Sequence, residues 1–178
     1  MKNFRNNINA TERNLRKLLV LLTLLIMSQA GSADPFTECP SQAFLVQDKV
    51  ARLYGVSLAT GQYKEFTNDM GTTGGVNGFG FNFHDSYLYG WSYQYKTLAR
   101  IDNEHQIETL PLTNAEGLSF FVGDVAATEN IYYGYRPGSN ANGGLFAIPL
   151  DPANPDYLVA SRIIDGSSLS LRIADMAF

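Results

Sequence analysis

Cysteine and histidine are scarce in this chain: one cysteine and two histidines among 178 residues. A lone cysteine excludes a disulfide-stapled small fold and every multi-cysteine zinc site. Charged residues are also few, at 17%, while aromatics reach 12%. That is the reverse of a disordered chain, which is highly charged and poor in aromatics. Acidic residues outnumber basic ones by seventeen to thirteen, and the sequence pI is near 5.1. A nucleic-acid partner is therefore not expected, because phosphate recognition needs a basic patch.

Long apolar runs are missing as well. The one notable run, LLVLLTLLIM from Leu18 to Met27, has ten residues, whereas a spanning helix needs roughly 20. It follows a basic stretch holding Lys2, Arg5, Arg13, Arg16 and Lys17, and precedes the small residues Ser28, Ala30, Gly31 and Ala33. Basic stretch, short apolar core and small residues are the pattern of a secretory signal peptide. Residues 1–33 are read as that signal, cut after Ala30 or Ala33, with an uncleaved anchor as the alternative. The remainder is expected to be secreted, whether periplasmic, extracellular or surface-held, and to leave the membrane after cleavage. Five of the thirteen basic residues and one of the seventeen acidic residues leave with the signal, so the mature chain is near −8. Cys39 follows Thr37 and Glu38 instead of small residues, which argues against lipid attachment. It is either a free thiol or one whose partner lies in another chain.

Residues 34–178 repeat. LYGVSL (Leu53 to Leu58) returns as LFAIPL (Leu145 to Leu150), and TLARID (Thr97 to Asp102) lies between them. YLYGWS from Tyr87 matches IYYGYR from Ile131, a shift of 44 that sets Tyr89, Gly90 and Trp91 on Tyr133, Gly134 and Tyr135. VNGFGF from Val76, VGDVAA from Val122 and IADMAF from Ile173 form a third set. Within each unit apolar residues alternate with small or polar ones, as strands require, and Asp, Asn, Gly and Pro clusters separate the runs. No helical periodicity is seen after the signal.

Four short strands per unit, here a to d, at a period in the forties predict an all-β, β-propeller-like fold. A sandwich of seven to nine strands is the competitor. The units divide as a partial blade lacking strand a (34–75), a blade (76–119), a blade (120–171) and one further strand a (172–178). Three blade-equivalents fall short of the roughly four to eight that close a ring, so a truncated propeller is expected. Open blade edges would then self-associate or aggregate.

CPSQAFLVQ, ARLYGVSLATGQY, VNGFGFN, SYLYGWS and TLARID together resemble an uncharacterised propeller-like repeat domain family of secreted bacterial proteins, throughout residues 39–178. The resemblance implies a secreted or surface-associated propeller and brings no catalytic residues.

Chemistry-bearing motifs are few. There is no GxSxG nucleophile elbow and no GxxxxGKS phosphate loop. His84 and His105, in separate turns, read as solvent-facing residues and lack the further ligands a zinc site needs. Asp102-Asn103-Glu104 lacks the twelve-residue calcium loop, although a hard-cation site between blades stays open. No cofactor and no metal site is expected. Asp124 and Asp175 share one position in strand a, aligned there with Gly78, and could converge on a central channel. They could hold a hydrolytic or lyase site, or simply accept backbone amides. The alternating stripe Tyr87, Tyr89, Trp91, Tyr93 and Tyr95 is the other candidate. Its inner part is expected in the interblade core. Trp91, Tyr93 and Tyr95 are the candidate ligand-binding residues, since a flat apolar ring with a polar tip stacks on a sugar or a protein. The reading is a non-catalytic binding or adhesion module for an unknown glycan or protein, with a fragment of a propeller enzyme as the alternative.

Overall fold

A computed structural model describes residues 34–37, 41–138, 140, 142–168, 173 and 175–177. The signal segment and Cys39 lie outside the described residues. The described chain is all-β, in three antiparallel sheets, none closed on itself. The first holds β1 (Ala43–Gln47), β2 (Arg52–Val56) and β3 (Tyr63–Thr67). The second holds β4 (Val76–Asn82), β5 (Tyr87–Ser92), β6 (Thr97–Ile101) and β7 (Ile107–Thr109), and the third β8 (Val122–Ala126), β9 (Ile131–Arg136), β10 (Gly144–Pro149) and β11 (Ser161–Asp165). Each sheet is a meander in chain order. A single 3-10 turn, Gly166–Ser168, follows β11.

The turns explain the strand limits. Four residues join β4 to β5 and β8 to β9, and the last of each, Ser86 and Asn130, takes a left-handed φ of 61° and 52°. Asp85 fixes the first of these turns by accepting the Tyr87 amide at 3.2 Å. Strand β5 ends at Ser92, and the next turn closes on Lys96 at φ 53°. Tyr93 and Tyr95 are thus turn residues, and the five-aromatic stripe is not one continuous strand. QIETLPL yields only the three residues of β7, and DYLVASRII starts its strand at Ser161. Upstream of it, Val159 makes a parallel bridge to Thr113. Of the expected last strand, Ile173, Asp175, Met176 and Ala177 are described and carry no strand.

The direction of β1 follows from the loops. The turn before β2 is hydrogen-bonded to the loop before β4, Ala51 donating to Thr72 O at 3.0 Å and Met70 donating to Ala51 O at 2.9 Å. The same loop meets the β5–β6 turn, where Tyr93 donates to Gly75 O at 3.2 Å. So β1 runs towards the end where β4 begins, parallel to β5, and holds the second-strand place in its sheet.

β4 lies against β8. Glycine makes the approach possible: a Cβ at Gly80 would overlap the Val125 amide and the Asp124 carboxylate. Gly78 sits in a bulge of β4 at φ 62°, and its carbonyl accepts the buried Tyr132 hydroxyl at 2.9 Å. That bulge also corrects the repeat alignment. Gly80 pairs with Tyr89 as Asp124 pairs with Tyr133, so Asp124 corresponds to Gly80 and not to Gly78.

Two apolar clusters form. The larger is centred on Trp91, Phe120, Tyr132, Phe146 and Ile148, and the smaller on Leu53, Met70, Leu88 and Ile101. Half-buried Phe36, Phe44, Phe66, Phe79 and Phe81 surround the smaller one.

Candidate functional site

The aromatic stripe divides into core and surface. All six residues of β5 are buried, because both faces of the strand are covered. Trp91 is fully buried, its ring edge-on to Phe120 at 4.7 Å. Its candidacy as a ligand contact is therefore corrected: a side chain packed on every side presents nothing to a ligand. Its burial agrees with the expectation that the inner part of the stripe, Tyr87, Tyr89 and Trp91, lies in a core.

Tyr93 and Tyr95 stand differently. Tyr93 is half-buried and donates its hydroxyl to Phe120 O at 3.1 Å. Tyr95 is 45% exposed and donates its hydroxyl to Gly71 O at 3.2 Å. Phe121, which sequence reasoning passed over, is 48% exposed and lies 6.5 Å from the Tyr93 ring. Its position is fixed on both sides of the residue. Its backbone amide donates to Tyr135 O at 3.0 Å, and its carbonyl accepts the side-chain Nδ2 of Asn77 at 2.9 Å. The doublet Phe120-Phe121 was the available signal, since adjacent aromatics before a strand send one ring inward and the other out.

Polar groups border these rings. Gln94 Oε1 accepts the Thr72 hydroxyl at 3.0 Å, the Thr73 hydroxyl at 3.0 Å and the Thr73 amide at 2.5 Å. These bonds tie turn 93–96 to the 68–75 loop, so the aromatic positions stand on a braced turn. A braced turn loses less conformational entropy on binding than a free one. Tyr93 and Phe121 adjoin beside exposed Asn77, and Tyr95 lies on the same turn as exposed Gln94, which bonds Thr73.

The carboxylate pair has a different fate. Asp124, half-buried on β8, accepts the Val125 amide at 2.8 Å and lies over Gly80. Asp175 is exposed and accepts the Met176 amide at 2.9 Å. Each accepts the amide of the residue that follows it. Among the described residues no group of three or more His, Cys, Asp or Glu is placed to hold a metal ion.

A second titratable cluster was not foreseen. The Tyr89 hydroxyl donates to Asp85 Oδ2 at 2.5 Å, and burial followed by that carboxylate pushes the phenol up. Burial also raises Asp85, against the Tyr89 and Tyr87 hydrogen bonds, which lower it. Arg100 lies over the Tyr87 ring at 4.4 Å and pairs with Glu108. Asp85 is engaged by the Tyr87 amide and the Tyr89 phenol, so the cluster serves to fix the β4–β5 turn.

His84 is exposed as expected, but His105 is not. Its ring stacks on Phe66 at 4.9 Å and 9°, and burial lowers its pKa, helped by Lys64 and opposed by Asp102.

No protein-family model and no curated protein matches the chain. Among the described residues, no helix is long and apolar enough to cross a membrane.

Proposed function

We propose that residues 34–178 are blades of a propeller-like, secreted, non-catalytic binding module that takes a glycan on the Tyr93–Tyr95–Phe121 surface. Meander sheets in chain order, with the first strands β4 and β8 side by side, support the propeller reading over a sandwich. The signal pattern of residues 1–33 supports export.

The observation that carries the ligand reading is the outward presentation of Tyr95 and Phe121 beside Tyr93, on a turn and a loop held by side-chain hydrogen bonds. Sugar rings stack on such faces, and their hydroxyls pair with side-chain amides and hydroxyls. A glycan array probed with the purified chain tests this. Binding is expected to fall about tenfold, or about 1.4 kcal/mol, in both Tyr95→Ala and Phe121→Ala, with the fold retained by circular dichroism. A blank array from folded protein, or full affinity in both variants, overturns the reading. Capture of a protein that Tyr95→Ala loses would keep the surface and overturn the glycan.

A further inference from the structure

We infer that the glycan this surface takes is an acidic one, whose carboxylate is received by Gln94 Nε2 and the Lys96 ammonium. The inference rests on the glycan reading and names the class of glycan.

Gln94 is a donor with a fixed aim. The Thr73 backbone amide can only donate, so the Gln94 atom that meets it is the carbonyl oxygen, and the side-chain amide cannot turn over. The Thr72 and Thr73 hydroxyls donate to the same oxygen, at 3.0 Å each. Gln94 is exposed, and its Nε2 makes no hydrogen bond among the described residues. Tyr95 has its footing on the same stretch of loop, through its hydroxyl to Gly71 O. Residues 94 and 95 thus set an uncommitted donor and a half-exposed ring on the one loop segment 71–73. Lys96 follows, exposed, where the turn closes at φ 53°. Among the described residues its ammonium has no carboxylate partner.

The distribution of charge along the strands points the same way. β4 and β8 run parallel, Gly78 meeting Gly123 and Gly80 meeting Val125, so the turns that follow them share one end. There Asn82 donates to Asn130 at 2.8 Å. The turns at that end carry Asp85, Asp102, Glu104, Glu129, Asp151 and Asp156, with no lysine or arginine. The opposite end, where turn 93–96 stands, carries Lys96 and, on turn 48–51, Lys49. Acids at this end are engaged or set aside. Asp48 pairs with Arg52 at 3.5 Å, and Asp69 accepts the Gly71 amide at 2.8 Å. Glu116 adjoins Gly117, whose carbonyl takes the Arg136 guanidinium. An acidic ligand is therefore repelled from one end and drawn to the other. A carboxylate can accept from the amide and the ammonium together, in charge-assisted bonds stronger than those a sugar hydroxyl makes.

The test is an array of hexuronate and sialate glycans, each printed beside the same glycan with its carboxyl reduced to the alcohol. The purified chain is expected to bind the acidic member of a pair about fivefold more tightly, a preference that shrinks as salt is raised. Gln94→Glu keeps an oxygen for the Thr73 amide but puts a negative oxygen where the donor was. Lys96→Asn removes the charge and suits the left-handed backbone. Each is expected to abolish the preference for the acidic member. Equal binding within the pairs by the unaltered chain overturns the acidic ligand and leaves the glycan reading standing. A preference that survives both substitutions overturns the assignment to these two residues. A blank array from folded protein overturns the inference and the glycan reading together. If Gln94→Glu fails to fold, Lys96→Asn, a change at an exposed turn position, still decides.

Discussion

The contact between the second and third sheets and the contact between the first and second are built from the same residue types by opposite means. In the former, backbone meets backbone at Gly80 and Val125, and Trp91, Phe120 and Tyr132 fill the space behind with no exposure. In the latter, half-buried phenylalanines splay across the gap: Phe36 lies 5.9 Å from Phe44 and 6.1 Å from Phe81, and Phe66 stacks on His105. One contact is locked by what glycine leaves out and the other cushioned by rings that can shift. Close-packed interiors resist a change of a single methylene, whereas the half-buried rings at the margin of buried Leu53, Met70 and Ile101 can yield.

Deleting a large ring from each side should separate the two most widely. Trp91→Ala is expected to cost about 3–5 kcal/mol, the range for a buried aromatic truncated to alanine. Phe36→Ala should cost clearly less, because its ring is only half-buried. Urea unfolding of both variants measures the gap, and equal losses would abolish the distinction. The added-methyl experiment comes next. Gly80→Ala sets a Cβ against the Val125 backbone, which cannot rotate away, and should cost about 1–3 kcal/mol or more. Gly55→Ala meets only the side-chain ends of Gln42 and Phe66, which can move, and should cost less than half as much by the same melt.

The cross-sheet hydrogen bond from Tyr132 to Gly78 O gives a smaller effect. Tyr132→Phe keeps the ring and strips the buried carbonyl of its donor, at about 1–3 kcal/mol. Burial also raises the Tyr132 pKa, so the folded chain keeps this proton after an unfolded tyrosine has lost it. Its contribution is whole below about pH 10, the ordinary tyrosine value, and falls as pH rises beyond it. Tyr132→Phe should therefore flatten the alkaline limb of stability against pH.

The sequence made the strands legible because alternation and turn chemistry act locally. Tyr89-Gly90 and Tyr133-Gly134 announced equivalent places, and the structure puts both pairs on the second strand of a four-stranded meander. What stayed hidden was set by neighbours. Alternation cannot say where along the aromatic stripe the cover ends, so Trp91 stood both in the expected core and among the ligand-binding candidates. Nor can it count the extra residues of the β4 bulge, which moved the partner of Asp124 from Gly78 to Gly80. Phe121 and His105 acquired their roles from residues distant in the chain, through rings and carbonyls that no spacing encodes.

His105 brings the comparison to its smallest test, because of the two contacts only the cushioned one holds a histidine among the described residues. Burial against Phe66 lowers its pKa, so the unfolded chain binds this proton at higher pH than the folded one does. The stabilisation is whole above the ordinary histidine value of about 6.5 and is lost as pH falls through it towards the lowered folded value. Thermal melts from pH 7.5 to 5 should show a drop that His105→Asn removes, asparagine being tolerant of the left-handed backbone found there at φ 64°. Hydrogen exchange adds the spatial half of the argument. On acidification, amides of β1 to β3 should lose protection before those of β4 and β8, whose seam holds no histidine. Simultaneous loss in all three sheets would mean that the two contacts open as one cooperative unit.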